Sequence, residues 1–432
     1  MFIYNLQHKY ICDIMITLKT QIQEINEWWT TGKINLYYKD RTIYSEIKEY
    51  FKYKQIICLT GLRRVGKTTL LKKIISDYLE QNFDNHNIIY FSFEEYKDID
   101  IRDILQEYKD LFLINKLTEK YLLILDEIQK LKDWENKVKA IYDQYPNIKI
   151  IITGSESTFI RTRSKETLAG RMFEFKINPL SFKEFISFKE KQFDNLNLYS
   201  QELKLLFLEY LKTQGFPELL DFKDEIAIKR YLVDNIIDKT INDIIKQYKI
   251  KNIDLLYKLS YIILEDPGRI IDTDSISRDL QVSRNSVSNY LIYLQDGFFL
   301  KKIYTYSNNQ TTSERKQKKY YPFIISPELT FSLDPVVVSK AFESLIVTQL
   351  DSKFFWRDKY KHEIDVLLIK DKNPIPIEIK FGKIDAYDSI KAFLRKYKQN
   401  ELTVITFEKE ETIKLDKYTI KLIPAYKYFL EN

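Results

Sequence analysis

Residues 55–80 read "QIICLTGLRRVGKTTLLKKIISDYLE". Gly61 is followed by four residues and then by Gly66-Lys67-Thr68, the spacing G-x-x-x-x-G-K-[ST] of a phosphate-binding loop. The flanks suit that reading. "IICL" (56–59) is a short apolar run of the kind a buried strand needs, and "TTLLKKIISDYL" repeats its apolar residues at helical spacing. The glycines let the backbone of Gly61, Leu62, Arg63, Arg64, Val65 and Gly66 wrap a phosphate with its amides inward, and the dipole of the following helix adds to the attraction. Lys67 is placed to reach β- and γ-phosphates. The Thr68 hydroxyl is placed to ligate Mg²⁺, and Thr69 to touch the α-phosphate.

A loop of this kind needs an acid on the metal side, and "YLLILDEIQKL" (121–131) supplies it. Five apolar residues form a buried strand that ends in Asp126 and Glu127. Asp126 is expected to hold the metal through water and Glu127 to polarise the attacking water. "NIIYFSFEE" (87–95) reads as another strand, and "NIKIIITGSES" (147–157) as a strand whose polar end, Thr153 or Ser155, could sense a γ-phosphate. An inserted strand sets this pattern apart from kinase-like and GTPase-like loops. Arg171, in "ETLAGRMFEFKINPLSFKEF" (166–185), is a candidate to stabilise transition-state charge, from its own or a neighbouring subunit.

The 432 residues are too many for one ordinary core. With 44% hydrophobic and 30% charged residues the composition is that of a folded, soluble chain, and a net charge of +6 permits a polyanionic partner without demanding one. Cys12 and Cys58 give neither metal spacing nor a disulfide framework and read as small buried residues in a reducing compartment. No leader pattern or membrane-length apolar run is visible, so a cytoplasmic location without a membrane partner is expected.

Residues 178–255 carry Leu, Ile and Lys at helical spacing and read as a helical lid. "DTDSISRDLQVSRNSVSNYLIYLQDGFFLKKIYTY" (272–306) has helix-turn-helix form. Ser275 is the expected cap of its first helix and Ser283 that of the second, which buries Val287, Tyr290, Leu291 and Leu294. Arg284, Asn285 and Asn289 then face solvent, where they could reach base edges or phosphates. Residues 301–321 contain six Lys or Arg against one Glu, so Arg315, Lys316, Lys318 and Lys319 are candidate nucleic-acid contacts on a β-wing.

Farther on, "HEIDVLLIKDKNPIPIEIK" (362–380) reads as two strands joined by a loop containing both prolines. Asp365 lies in the first strand, and Glu378 and Lys380 share a face of the second. Glu343, on a preceding helix, completes a candidate second metal site. A structural network of the same acids and lysine is the competing reading.

In this order, "GLRRVGKTTL", "LLILDEIQKL", "IIITGSES", "LAGRMFEFKINPLSFKEF" and "TQGFPELL" (213–220) resemble a large family of archaeal and bacterial AAA-type ATPases. Gln214 stands where a second glycine is often found. The resemblance implies an α/β fold class. A parallel-sheet P-loop core (41–177) binding ATP and Mg²⁺ would follow a helical arm (1–40). A lid (178–255), a winged helix (256–325) and a restriction-endonuclease-like domain (326–432) would complete the chain. The last is similar to the PD-(D/E)xK nucleases, although Ile364 replaces the proline before Asp365. DNA, a protein partner and oligomerisation are all compatible with such a machine. The rival expectation is a nucleotide-driven switch that binds protein and carries an inactive nuclease-like domain.

Overall fold

The computed structural model describes residues 18–94, 99–154, 167–307, 309–383 and 387–432. The chain divides into two compact units, Met1–Asn178 and Pro179–Asn432.

The first unit is built on five parallel strands: β1 (Ile56–Thr60), β2 (Ile88–Ser92), β3 (Tyr121–Asp126), β4 (Ile148–Gly154) and β5 (Met172–Lys176). Their order is β2-β3-β4-β1-β5. β4 is therefore the inserted strand in space, lying between the strand of the phosphate loop and the strand of the acids. From β1 the chain runs to one edge of the sheet and then works back across it. Right-handed crossovers then put helix Lys67–Glu80 on one face and helix Trp134–Gln144 on the other. β1 and β3 are buried along their whole length, which explains their unbroken apolar runs. β5 was not legible as a strand; its "MFEFK" is only partly buried at the sheet edge.

The opposite edge, β2, is closed by the N-terminal arm. Trp28 and Trp29 both donate their indole N–H to the Ile88 carbonyl, at 3.0 and 2.8 Å. The Asn26 amide donates to the Tyr90 carbonyl at 3.0 Å and accepts from the Tyr90 N–H at 2.8 Å. Side chains thus satisfy backbone groups that an open edge would present to another chain.

Among the described residues the second unit has nine strands: β6 (Arg269–Ile270), β7 (Leu300–Thr305), β8 (Lys318–Pro322), β9 (Phe354–Arg357), β10 (Glu363–Lys370), β11 (Asn373–Lys380), β12 (Glu401–Thr406), β13 (Glu411–Leu415) and β14 (Tyr418–Pro424). They form one sheet, ordered β13-β14-β12-β11-β10-β9-β7-β8-β6. The expected boundary at 325/326 therefore runs through a continuous sheet, joined where Tyr304 and Thr305 of β7 pair with Phe354 and Phe355 of β9. The segment expected as a lid also belongs to this unit. Its Phe182, Phe185, Phe207 and Tyr210 are buried in one core with Phe342, Ile346, Ile377 and Ala425. A second core, with Ile390, Phe393 and Leu394 from helix Tyr387–Tyr397, gathers Leu402, Val404, Ile420 and Leu422.

Two local readings change. Asp272, not Ser275, caps helix Thr273–Asp279, accepting from the Asp274 N–H at 3.0 Å. Ser283 caps helix Arg284–Asp296 as expected, through the Ser286 N–H at 3.0 Å. Pro374 and Pro376 are not in a loop: the turn is Asp371-Lys372, both at positive φ, and the prolines lie in β11 opposite Ile369 and Leu367 of β10. β12 pairs with β11 only from Ile377 onward, so the prolines occupy the stretch where no second neighbour needs their missing N–H. Gln214, in place of a glycine, adopts φ 54°. Its buried amide clamps the Ile325 backbone, donating to the carbonyl and accepting from the N–H, both at 2.8 Å.

Candidate nucleotide site and a buried charge cluster

The loop between β1 and helix Lys67–Glu80 is shaped by its glycines. Gly61 has φ 146°, and a Cβ there would come within 2.1 Å of the Ile177 carbonyl oxygen. Gly66, at φ 95°, precedes the helix in the left-handed region. Arg41 holds the loop from behind: its guanidinium donates to the Val65 carbonyl at 2.9 Å and to the Asn178 carbonyl at 2.8 Å. Nothing in the sequence pointed to Arg41, because it lies outside any motif. Arg63 pairs loosely with Glu94 at 3.5 Å, Arg64 is exposed at φ 64°, and Leu62 and Val65 are buried. Thr68 and Thr69 stay accessible at the helix start.

The two motifs meet. The Thr68 hydroxyl donates to Asp126 Oδ2 at 2.9 Å, Tyr90 donates to the same oxygen at 3.0 Å, and Thr153 donates to Oδ1. Burial raises the Asp126 carboxyl above the usual range, and these hydroxyls pull it back. Lys67 is buried and bonds the carbonyls of Gly61 and Leu62 at 3.1 and 2.8 Å. Its ammonium is 3.9 Å from Glu127 Oε1. Burial lowers its pKa, while Glu127 and Asp126 oppose the shift. Glu127 itself sits at φ 52°, a strained conformation for a glutamate, held by a Gln129 amide at 2.6 Å and by its own N–H to Thr153 at 2.9 Å. Thr153 therefore positions both acids. Ser155, the other candidate sensor, lies outside the described residues, as does Cys12; Cys58 is buried in β1.

The donor set fits Mg²⁺ and a triphosphate: one hydroxyl and one carboxylate already share a point at the strand ends, beside a glycine-shaped loop and a buried ammonium. Arg171 does not join them. Its carbonyl accepts from the N–H of Ile56, the first residue of β1, whereas the phosphate loop follows Thr60, the last. Four residues of strand separate the two ends by about 13 Å. The side chain instead pairs with Asp143 at 3.3 Å. A role in its own subunit's site is thus contradicted by strand direction.

The second unit gathers the other candidates around β10. Lys380 Nζ is 2.7 Å from Glu378 and 3.9 Å from Asp365. Asp365 Oδ2 accepts from the Ile379 N–H at 3.0 Å, and the β9–β10 register slips between Ile364 and Leu367. Glu343, from helix Pro335–Gln349, accepts from Tyr321 at 2.6 Å. Burial and the Asp365 charge push Glu378 up to about 8, against the pull of Lys380.

Lys319 is where expectation fails. As a wing residue it was a candidate phosphate contact. It is instead buried among the acids, 2.5 Å from Glu363, 3.8 Å from Glu343 and 3.8 Å from Asp365. Among the described residues no group of three or more His, Cys, Asp or Glu side chains is arranged to hold a metal ion. The metal-site expectation for Glu343, Asp365, Glu378 and Lys380 does not fit this arrangement, because an ammonium stands among the carboxylates.

Of the remaining candidates, Asn285 and Asn289 are exposed, and Arg284 pairs with Asp274 at 3.3 Å. Lys316 and Lys318 donate to nearby backbone carbonyls. The Arg315 side chain lies outside those described. A cavity of about 590 Å³ that the sequence did not reveal is lined by Thr305, Lys316, Gln317, Arg357, Asp358, Lys359, Tyr360 and Lys396. No described helix is long and apolar enough to cross a membrane.

Comparison with known proteins agrees with the first site. A family model described as an AAA domain matches residues 53–186, and two domains of unknown function match 204–323 and 331–428. An uncharacterized protein of Methanocaldococcus jannaschii is 31% identical over 318 residues, which is 68% of this chain and 66% of that protein. A second from the same organism is 26% identical over 91% of this chain and 92% of its own length. Among solved structures, a Walker-type ATPase of Pyrococcus abyssi is 16% identical, covering 70% of this chain and 95% of its own, with a TM-score of 0.35. The chain thus carries an AAA-type P-loop ATPase domain followed by two domains of unknown function.

Proposed function

We propose that the first unit hydrolyses ATP and that its nucleotide state is relayed to the second unit, which engages DNA. The observation that carries the first half is the 2.9 Å contact between the Thr68 hydroxyl and Asp126, with Lys67 3.9 Å from Glu127. Thr68 and Asp126 would hold a Mg²⁺ ion, which would supply positive charge against the phosphates. Lys67, released from the Gly61 and Leu62 carbonyls, holds the developing charge on the transferred group. Thr68 and Asp126 hold the metal, Glu127 orients and polarises the attacking water, and Thr153 with Gln129 fixes Glu127 in its strained conformation. The backbone from Gly61 to Gly66, and Thr69, hold the phosphates. Any charge-stabilising role of Arg171 is played across a subunit boundary, in an oligomer. Lys67→Ala should lose nucleotide binding, whereas Glu127→Gln should bind ATP and turn over slowly; ATP affinity and turnover unchanged in both would refute the assignment.

DNA engagement is supported by element order and charge. Helix Ile253–Glu265, β6, helices Thr273–Asp279 and Arg284–Asp296, then β7 and β8, follow the order of a winged helix. Asn285 and Asn289 are exposed on the second of the paired helices, and the 590 Å³ cavity brings Lys316, Arg357, Lys359 and Lys396 together. Neutralising Lys316, Lys359 and Lys396 should weaken binding to duplex DNA and flatten its salt dependence. No measurable affinity at low salt would eliminate this half. Helix Pro335–Gln349, β9 to β11, helix Tyr387–Tyr397 and then β12 follow the order expected of a nuclease-like fold and support that reading. The buried Lys319 favours the inactive reading of that domain: a module that has the fold and does not cleave.

A further inference from the structure

We propose that Lys319 is the resident cation of the carboxylate cluster, a tethered ammonium that latches β8 to the acids of β10 and of helix Pro335–Gln349 and excludes a divalent ion while it is in place. This goes beyond the ATPase reading and does not depend on it.

Three carboxylates from two separate elements converge on one nitrogen: Glu363 at 2.5 Å, Glu343 at 3.8 Å and Asp365 at 3.8 Å. Few lysines are buried this deeply, because removing an ammonium from water is costly unless charge and hydrogen bonds replace it. Here three carboxylates supply the charge and Glu363 the hydrogen bond. Burial alone would lower the pKa of Lys319, yet Glu343, Asp365 and Glu363 together raise it, so the group stays charged. The Phe355 ring lies 5.5 Å below the same nitrogen.

The latch has a second attachment. Tyr321, two residues along β8, donates to Glu343 at 2.6 Å, and burial keeps its phenol protonated so that it remains a donor. The acids are also committed on their far side. Glu363 is bridged to Arg357 at 2.8 Å, and Asp365 and Glu378 to Lys380 at 3.9 and 2.7 Å. Two ammoniums, Lys319 buried and Lys380 half-buried, and a guanidinium thus face four carboxylates. A divalent ion arriving at Asp365 would have to share the space with the Lys319 ammonium, whose repulsion in a buried setting is only weakly screened. With that nitrogen gone, oxygens from Glu343, Glu363 and Asp365 would be left facing one another, a donor set suited to a hard cation.

The test is Mn²⁺ titration of the full-length chain without nucleotide, followed by electron paramagnetic resonance of free Mn²⁺ and by thermal melting. Wild type and Asp365→Asn should bind Mn²⁺ alike, because the cluster contributes nothing. Lys319→Met should gain one further bound ion per chain, and that gain should disappear in Lys319→Met/Asp365→Asn. If Lys319→Met folds only when Mn²⁺ is present, the ion has replaced the ammonium and the proposal stands. Asp365-dependent Mn²⁺ binding in the wild-type chain would overturn it without recourse to any Lys319 variant. So would a folded Lys319→Met that binds no additional ion.

Discussion

Both units bury a lysine beside paired acids, and they use it in opposite ways. Lys67 spends its hydrogen bonds on two loop carbonyls and stays 3.9 Å from the nearest carboxylate, so Asp126 and Glu127 are held by hydroxyls and an amide. Lys319 goes directly to the acids, the closest at 2.5 Å, and Lys380 to Glu378 at 2.7 Å. Carboxylates held by neutral donors keep their charge available for a metal or a water. Carboxylates already paired with ammoniums have spent it. Acid, acid and lysine therefore do not define a site by composition alone; what the lysine is bonded to decides.

The sharpest way to break the contrast is at Lys67. Lys67→Ala should abolish measurable ATP binding, read by calorimetry, while leaving the melting behaviour of the second unit unchanged. Next in size is the second cluster. Glu363→Ala leaves Lys319 without its closest partner and should destabilise the second unit by about 3–5 kcal/mol in urea unfolding, because a buried charge loses its compensation. An effect below about 1 kcal/mol would mean that the pair is solvated, as surface ion pairs are. Gln214→Ala should cost about 2 kcal/mol, since the buried N–H and carbonyl of Ile325 both lose their partner.

The contrast was half legible in the sequence. The phosphate loop and Asp126-Glu127 stood out because each is a local pattern, a run of a few residues with strand or helix periodicity around it. The inserted strand, the Ser283 cap and the buried face of helix Arg284–Asp296 were readable for the same reason, with Tyr290 only half buried. Lys319 was not. Its partners lie 24 to 46 residues later, and in a run of lysines it looks like any solvated wing residue. The continuity of β7 with β9, a pairing of two residues, helps bring that wing to the acids. The place of Arg171 was hidden for a related reason: its motif is local, whereas the strand direction that sets it beside Ile56, at the end of β1 away from the phosphate loop, is not. The apolar faces at Phe182, Phe185 and Phe207 predicted helices correctly, and could not say which core they would join.

The smallest expected effect concerns pH. Burial alone would raise Asp77, but hydrogen bonds from Lys73, Lys48 and Tyr44 outweigh it and hold the carboxyl below its usual value. A depressed folded pKa contributes stability above the unfolded value and loses it as pH falls through the folded one. Stability of the first unit should therefore decline as pH drops below about 4, and Asp77→Asn should flatten that part of the curve. A curve of the same shape in both would show that this network does not couple protonation to folding.

Whether the first unit's acids act on a nucleotide is read from single-turnover hydrolysis of pre-bound ATP by Glu127→Gln. ATP affinity should stay close to wild type and the chemical step should slow by about 10²–10⁴. A chemical step at the wild-type rate would contradict it, because Glu127, whatever else holds it in place, would then not be the group that activates water.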